Sequence, residues 1–498
     1  MNGMSAEKST RNEAAELLES VAELGLPQPE VVRVPTHARR RQAFERFARA
    51  TAAGEVTVPP QLLRGRQRRR HIRDTVTEDH VVRMHLAPWA VREKFRELAA
   101  DRFTFFRGTA LLYYRDLAGS DAGLPVVPTV GDVHPENYGV LPGADGRPVF
   151  SINDMDEAWM APFTWDLHRG AVGFALAGEQ LGMKRKKAMK VAGRFIGGYF
   201  DGIADCLNEP EAVTRRITTE NAPGVIEPFL AKASRSRKKF LAKRIDFDTL
   251  TFREDDRVQR RPELIDRLRV AVQDYARTVD HGEDRERPRD FFRIHDAAIR
   301  TRSGTASRGL ARFWVLVQGW GSAPEEKVIL ELKMARHSSL DGLSPVDGDG
   351  DVGADVILGE STAGRIATAF EAFVADGDPL YGFIEIAGIS FVVRERSPQK
   401  VNVDVADFDP KGLKKYARLC GRILARQHVR AEQRLSGSES GVPGQILRAG
   451  HVHVFHADAE EFVAELLDRI DADFRLFSED VERGAYEVLS LSELSDKG

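Results

Sequence analysis

The chain has very few cysteines, the residues on which zinc sites, redox pairs and disulfide-rich proteins depend. It contains two cysteines in 498 residues, Cys206 and Cys420. They lie far apart in sequence and lack the C-x-x-C spacing of zinc sites and redox pairs. We interpret both as small buried residues, and their scarcity indicates a reducing compartment.

Long apolar runs and a strong net charge are also missing. No run approaches the roughly 20 apolar residues of a membrane-spanning helix, and the polar N-terminus lacks the apolar core of a signal peptide. Lys and Arg number 73 against 76 Asp and Glu, so the net charge is -3. This balance gives no overall attraction to nucleic acid or to an anionic membrane. We therefore expect a cytoplasmic protein without a membrane or nucleic-acid partner.

One local basic run stands out against this balanced charge. RGRQRRRHIR at residues 64–73 could bind RNA or a phosphorylated surface. No aromatic residues are interleaved with the basic ones. A solvated helix face is therefore the preferred interpretation.

The most informative stretch is residues 131–167, which begins GDVHPEN and continues through SINDMDEA to WDL. The apolar runs YGVL and PVFSI flank PGADGR, which is rich in turn-forming residues, so the pattern predicts a β-hairpin. A hairpin returns the chain to its starting point. Asn137 before the first strand and Asp154 after the second should therefore be neighbours, with two oxygen ligands beside one small volume.

The spacing within this stretch is typical of phosphoryl transfer. In the kinase catalytic loop a base Asp precedes a metal-binding Asn by five positions, and a second metal-binding Asp follows. Asp132 and Asn137 have that spacing, and Asp154 follows the predicted hairpin. Each residue alone could be an ordinary turn or capping residue. Their combination favours a functional site, whereas His134 is interpreted as a structural residue of the loop.

The motif series resembles a known group of enzymes. GDVHPEN, INDMDEA and WDL resemble the aminoglycoside-phosphotransferase branch of the kinase superfamily, and resemble more closely the uncharacterised bacterial domain-of-unknown-function family 2252. The F-x-R-G segment at residues 105–108, LELKMARHS at 330–338 and LARQHVRA at 424–431 also match that family. The resemblance spans roughly residues 80 to 435, and the 131–167 block is its most specific part.

The resemblance implies a role for each residue of the site. Asp132 would be the base, Asn137 and Asp154 the metal ligands, Asp156 a supporting carboxylate, and Asp166 a brace for the catalytic loop. ATP and Mg²⁺ would be the cofactors.

The resemblance also implies a nucleotide site in the later, strand-rich part of the chain. SGTASRG at residues 303–309 has the pattern of a loop over phosphates, in which Gly304, Ser307 and Gly309 would hold ATP. Lys333 would pair with the α- and β-phosphates. Glu371 is the preferred partner for Lys333, ahead of Glu360. A Walker A motif is excluded, because Leu310 and Ala311 stand where Lys and Ser or Thr are required.

The predicted fold is α+β, with a two-lobed protein-kinase-like architecture. A helical catalytic lobe would pack beside a smaller antiparallel β-sheet nucleotide lobe. Because the sheet follows the catalytic motif, the kinase order would be circularly permuted, which is tolerable when chain ends lie close in space. The predicted units are a polar, partly disordered arm (1–30), an N-terminal helical region (31–125), the catalytic hairpin and helical lobe (126–290), the β-sheet lobe with one helix (291–408) and C-terminal helices (409–498).

The predicted function is an ATP- and Mg-dependent phosphotransferase acting on an unidentified acceptor, with a small-molecule hydroxyl favoured. Two alternatives remain open at this point. One is a catalytically inactive kinase-like scaffold that binds nucleotide. The other is a two-metal phosphoesterase, suggested by Asp132-Val-His134, although its further G-D-x-x-D and G-N-H motifs are missing. Arg107, His428 and Arg430 could contact phosphate or the catalytic loop, and internal salt bridges explain them equally well.

Overall fold

The computed structural model describes residue 53 and residues 58–86, 88–279, 287–300, 310–344, 361–437, 441–449 and 452–486. Within these ranges the protein combines many helices with antiparallel sheets. The predicted α+β class is therefore confirmed. None of the described helices is both long and apolar enough to cross a membrane.

In the part of the chain that the structure describes, four α-helices precede the first strand and form one wall of the largest hydrophobic core. They are α1 (Gly65–Leu86), α2 (Pro88–Leu98), α3 (Arg102–Gly108) and α4 (Ala110–Leu117). Phe105, Phe106 and Tyr114 are buried in that core. The basic run begins α1, but its face is only partly solvated. Arg68 is buried and bonded to Asp116 and Asp473, so an internal salt-bridge network replaces the predicted solvated face at this position.

The predicted hairpin is present, and one further strand precedes it and another follows it in sequence. Its elements are β1 (Val126–Thr129), β2 (Tyr138–Pro142), β3 (Pro148–Ile152) and β4 (Trp159–Pro162). β2 pairs antiparallel with β3, with Tyr138 opposite Ile152, and β1 pairs with β4. These two pairings bring the loop between β1 and β2 close to the segment between β3 and β4.

Four long helices and one short helix belong to the core on which this hairpin packs. They are α5 (Phe163–Gln180), α6 (Arg185–Asn208), α11 (Pro410–Ser436), α12 (Val442–Arg448) and α13 (Val452–Glu482). α5 is buried on every side from Phe163 to Gly178, as expected for a central helix. α11 begins where the Asp409 side chain accepts from the Gly412 amide, and it ends at Gly437 in the left-handed conformation. These are ordinary helix start and stop signals.

The segment after α6 contributes short elements to the second half of the protein. They are α7 (Glu227–Ala233), α8 (Arg237–Ala242), β5 (Ile245–Asp246), β6 (Thr251–Phe252), β7 (Val258–Arg260) and α9 (Ile265–Thr278). β7 forms the edge of the main sheet, and α9 packs on one face of that sheet. The predicted boundary near residue 290 is therefore wrong, since this charged segment folds with the sheet that follows it.

The main sheet has six strands in the order β11-β12-β10-β9-β8-β7. The remaining strands and the helix between them are β8 (Ile294–Arg300), β9 (Arg312–Val317), β10 (Val328–Met334), α10 (Thr362–Phe373), β11 (Gly382–Ile386), β12 (Ile389–Glu395) and β13 (Val401–Asn402). All neighbouring pairs are antiparallel. β13 was predicted to belong to this sheet, but it pairs with β2 of the hairpin instead. The chain thus returns from the sheet directly to the hairpin.

Alternate residues along the strands of the sheet face two different hydrophobic clusters. Leu330, Leu332 and Phe313 point to the core shared with α9, whereas Trp314 and Ile329 contact the small cluster around Phe252. Glu331 and Lys333 lie on the same face of β10 as Ile329, because side chains alternate along a strand. This face of β10 therefore carries two charged residues, of which Lys333 contacts Asp156 at the cleft described below.

Helices α6 and α11 approach each other through small residues. A Cβ at Gly198 would lie 2.1 Å from the Arg418 carbonyl oxygen, and one at Gly421 would lie 2.1 Å from the Phe195 carbonyl oxygen. By contrast, a Cβ at the adjacent Gly197 would have its nearest contact at 3.8 Å. The packing of these two helices therefore requires glycine at some positions and tolerates alanine at others.

We predict that Gly198→Ala destabilises the protein by about 1–3 kcal/mol, because the added methyl group overlaps a backbone atom that cannot move aside. Gly197→Ala is the matched control and should be neutral or stabilising by up to about 1 kcal/mol. Denaturant unfolding of the two variants and the wild type measures the difference. Equal stability of the two variants would contradict this account of the helix contact.

Candidate active site

The loop from Gly131 to Asn137 joins β1 to β2 and has an unusual backbone. Gly131 has φ of 66°, and Asp132 has φ of 44°. A Cβ at Gly131 would lie 2.5 Å from the Glu157 carbonyl oxygen, so glycine is required for this close approach. A non-glycine residue at positive φ is uncommon and costs free energy, and strained residues of this kind are enriched at functional sites.

The buried carboxylate of Asp166 holds this loop in place. It accepts hydrogen bonds from the amides of Val130, at 2.7 Å, and Gly131, at 3.0 Å. His428 Nε2 lies 3.1 Å from the same carboxylate, and both side chains are fully buried. The contacts of Asp166 are those of a loop brace, the role that the resemblance implied.

Arg169 orients the Asp132 side chain through hydrogen bonds to its carboxylate. Its Oδ1 accepts from Arg169 Nε at 2.9 Å and from Nη2 of the same guanidinium. The Asp132 amide donates to the Tyr114 hydroxyl. Burial raises the pKa of Asp132 to about 6, although Arg169 acts in the opposite direction. A carboxylate with a pKa near neutrality is suited to accept a proton.

The hairpin brings Asn137 to Asp154, as the sequence predicts. The Asn137 side-chain amide donates to the Asp132 carbonyl at 3.3 Å and to the Asp154 carbonyl at 3.5 Å. The Asn153 amide donates to the Asn137 carbonyl at 3.0 Å. Because its nitrogen is engaged, the side-chain oxygen of Asn137 is the atom that remains for a ligand.

Lys333 reaches this site from β10 of the main sheet. Its ammonium contacts the Asp156 carboxylate and lies 4.0 Å from Asp154 Oδ1. Burial alone would raise the pKa of Asp156, but Lys333 lowers it below its ordinary value. Burial and the nearby charge of Asp156 raise the pKa of Asp154. The side chain of Asp154 is 44% exposed, against 24% for Asp156, so Asp154 is the more open of the two carboxylates.

Two arginines outside the predicted site, Arg336 and Arg365, hold the segment between β3 and β4 in place. The Arg336 guanidinium bridges Glu157 and Asp79. Arg365 of α10 is buried and donates to the backbone carbonyls of Asp156, at 2.8 Å, and Ala158. The sheet side of the protein thereby holds the acidic segment through side chains that the sequence patterns did not predict.

The face of β10 beside Lys333 carries further charge. Glu331 is buried and accepts from Arg394 at 2.6 Å and from Trp314 at 3.2 Å. Arg312 lies 3.3 Å from the same carboxylate. Burial would raise the pKa of Glu331, but Arg394 and Arg312 hold it well below its ordinary value. Glu331 is therefore an ionised anchor for two arginines next to Lys333.

Several other predicted residues lie apart from this cluster or outside the described ranges. The predicted pairing of Lys333 with Glu371 is wrong: Glu371 is exposed on α10 and lies 2.8 Å from Arg434, while Lys333 pairs with Asp156. Gly304, Ser307, Gly309 and the second choice Glu360 lie outside the described residues.

His134 and Arg107 act within the loop. The His134 ring is buried and accepts from the Glu136 amide at 3.2 Å, which agrees with a structural role. Arg107 forms an ion pair with Glu136. Both residues therefore stabilise the loop from Gly131 to Asn137 through contacts within it.

The loop from Gly131 to Asn137 and the acidic segment between β3 and β4 border a cleft of about 390 Å³ that is open to solvent. Its lining residues are Arg83, Gly131, Asp132, Asn137, Asp154, Asp156, Glu157, Leu310 and Arg336. Leu310, the first described residue after the Gly-rich sequence 303–309, lines this cleft. Among the described residues, no group of three or more His, Cys, Asp or Glu side chains is arranged to hold a metal ion.

Sequence patterns missed Arg169, Arg336, Arg365 and Glu157. Arg169 follows Asp166 by three positions on α5 and so shares its helix face, which is a signal that could have been used. Arg336 and Glu157 lie inside the motifs ARHS and NDMDEA. Arg365 has no comparable local signal, because its partners are carbonyl groups distant in sequence.

One protein family matches this chain. Its description is "Uncharacterized protein conserved in bacteria (DUF2252)", and the match covers residues 86–480, about four fifths of the chain. The chain belongs to this family, which confirms the closer of the two resemblances. No curated protein matches the chain, and no solved structure does.

The pKa of Asp132 predicts a pH-dependent stability. Because its pKa is about 6 in the folded protein and 3.8 ordinarily, the folded state binds this proton more tightly. The stabilisation is complete below pH 3.8 and is lost as the pH rises through 6. Relative to Asp132→Asn, the wild-type free energy of unfolding should fall by about 3 kcal/mol from acid to neutral pH.

Denaturant unfolding of both proteins at a series of pH values measures this difference. The two curves should nearly coincide at acid pH, where the Asp132 carboxyl is neutral like the asparagine amide. They should separate as the pH rises through 6, because burial of the ionised carboxylate costs more than its Arg169 ion pair offsets. Curves that stay parallel over the whole range would show that the pKa of Asp132 is not raised.

Proposed function

We propose that this protein is an ATP- and Mg-dependent phosphotransferase with a kinase-like, circularly permuted architecture, acting on a hydroxyl of a small molecule. The observation that carries the proposal is the meeting of Lys333 with Asp154 and Asp156. These residues are separated by more than 170 positions in sequence. Asp154 and Asp156 line a cleft together with Asp132 and Asn137, and Lys333 contacts the Asp156 carboxylate at this cleft.

The position of Lys333 in the sheet supports a nucleotide-binding role. β8 and β9 are antiparallel neighbours, and the Gly-rich segment connects them in sequence. Lys333 lies on the next strand, β10, and helix α10 follows in the chain. Protein kinases place a Gly-rich loop, a lysine on the third strand and a helix in this order. The same order after the catalytic motif supports the permuted arrangement.

The donor set around the acidic segment fits magnesium bound together with nucleotide phosphates. Mg²⁺ is usually held by one or two carboxylates, with phosphate oxygens and waters completing its shell. Asp154 offers an open carboxylate and Asn137 an amide oxygen, with Asp156 beside them. A metal bound there would neutralise charge on the phosphates. A cluster of three protein carboxylates or histidines is not needed for this kind of site.

Asp132 is suited to receive the acceptor's proton. Arg169 and the braced loop orient its carboxylate, and the raised pKa brings proton affinity closer to that of a useful base. Lys333 would contact phosphate oxygens, as the corresponding lysine does in kinases. One feature differs from that pattern: an aspartate of the acidic segment, Asp156, pairs with Lys333 in place of a glutamate on the helix.

The proposed magnesium site predicts that nucleotide binding depends on Mg²⁺. Calorimetry should detect ATP binding that is at least tenfold tighter with Mg²⁺ than without it, because the ion links Asp154 to the phosphates. Asp154→Ala should remove this dependence on Mg²⁺. Asp274→Ala, on an exposed face of α9, is the control for loss of a carboxylate and should behave as the wild type. A wild type that ignores ATP under both conditions would end the proposal.

The second prediction separates an enzyme from a scaffold. Asp132→Asn should keep Mg-ATP affinity within about threefold, yet reduce turnover by about 100-fold or more, because general-base catalysis is lost. ADP release in the presence of a panel of small hydroxylated metabolites is the measurement. A wild type that binds Mg-ATP but releases no ADP with any acceptor would favour the inactive nucleotide-binding alternative.

A further inference from the structure

A second cavity lies on the other side of the catalytic hairpin. It has a volume of about 410 Å³ and is bounded by β3, the segment 213–217, the end of α10 and helix α11. Its lining residues are Val149, Phe150, Ser151, Val213, Arg215, Arg216, Ile217, Phe373, Ala375, Ile423, Arg426, Gln427 and Arg430. None of these is shared with the lining of the first cleft.

The charge of this cavity is of one sign. Four arginines line it, and none of its described lining residues is acidic. Three of the arginines have carboxylate partners outside the lining: Arg215 with Glu209 at 2.8 Å, Arg216 with Asp145 at 3.0 Å, and Arg426 with Asp205 at 3.1 Å. These ion pairs fix the orientation of the guanidinium groups, which lowers the entropy lost when they bind a ligand.

Arg430 differs from the other three arginines. Among the described residues its one hydrogen bond goes to the Val374 carbonyl at 3.5 Å, the limit of such a bond. Burial and the neighbouring Arg434 lower the pKa of Arg430. A half-buried guanidinium without a bonded carboxylate has donors available for an anion.

A neutral polar group completes the wall. Gln427 is 7% exposed, and its amide nitrogen donates to the Ser151 hydroxyl. Its side-chain oxygen is buried and has no hydrogen-bond partner in the described part of the chain. Buried polar atoms normally have a partner. An acceptor left in this position is suited to a ligand hydroxyl.

We propose that this cavity binds a phosphate monoester of a small hydroxylated metabolite. Arginine binds phosphate by paired, planar hydrogen bonds, so Arg430, Arg426 and Arg216 would hold the phosphate. Gln427 and Ser151 would bind hydroxyl groups. The cavity opens to solvent, so the body of an ester can extend outward from the arginines. The apolar residues Val149, Val213 and Ile423 would contact the body of the ester.

Calorimetric titration with glucose 6-phosphate tests this proposal, with glucose and inorganic phosphate as separate arms. The wild type should bind the ester at one site and should not bind glucose. Arg430→Gln should weaken the ester at least tenfold. Arg434→Gln removes an exposed arginine one turn further along α11 and should have no effect. Lys333→Met, in the other cleft, should also leave this binding unchanged.

The outcomes distinguish this site from the proposed nucleotide cleft. Loss of ester binding in Lys333→Met but not in Arg430→Gln would place the anion in the cleft and overturn the proposal. So would the absence of ester binding to the wild type. Inorganic phosphate binding as tightly as the ester would overturn the assignment to an ester. Should Arg430→Gln fail to fold, Arg216→Gln, whose side chain is 20% exposed, should weaken the ester about threefold.

Discussion

The candidate active site depends on one buried carboxylate. Asp166 at the start of α5 binds two consecutive loop amides and the ring of His428 from α11. Hydrogen bonds of an ionised group to backbone amides are among the stronger polar interactions in a protein interior. They fix the positive φ angles at Gly131 and Asp132, and those angles in turn direct Asp132 towards Arg169. Three elements distant in sequence therefore converge to set the position of one side chain.

The second constraint joins the sheet to the hairpin. Arg365 holds the backbone on both sides of Glu157, Arg336 binds the Glu157 carboxylate, and Lys333 meets Asp156. These cations come from β10, from the residues just after it and from α10. Breaking such a buried contact leaves an uncompensated charge, which is strongly unfavourable. The acidic segment therefore keeps its position relative to the sheet, although most of the hairpin packs against helices.

Sequence reasoning succeeded where the cause of structure is local. The β2–β3 hairpin follows from alternating apolar runs around a turn-rich segment, and this geometry alone makes Asn137 and Asp154 neighbours. It failed where the partner is chosen by packing in three dimensions. Glu371 has a suitable position along α10, but the helix rotates that face to solvent and presents Arg365 inward instead. The boundary near residue 290 failed for a similar reason, since short strands such as β7 carry little periodic signal and owe their existence to pairing with β8.

The distribution of charge in the cleft assigns different properties to similar side chains. Asp132 has Arg169, Asp156 has Lys333 and Glu157 has Arg336. Asp154 is the most exposed carboxylate of this group, and Lys333 lies 4.0 Å from it. A like charge nearby and partial burial both disfavour a second ionised carboxylate. An arriving cation would relieve this repulsion most at Asp154, whereas the three paired carboxylates already have a partner. The same arrangement that makes the acidic segment electrostatically unfavourable without a ligand thus selects the carboxylate at which a cation would bind.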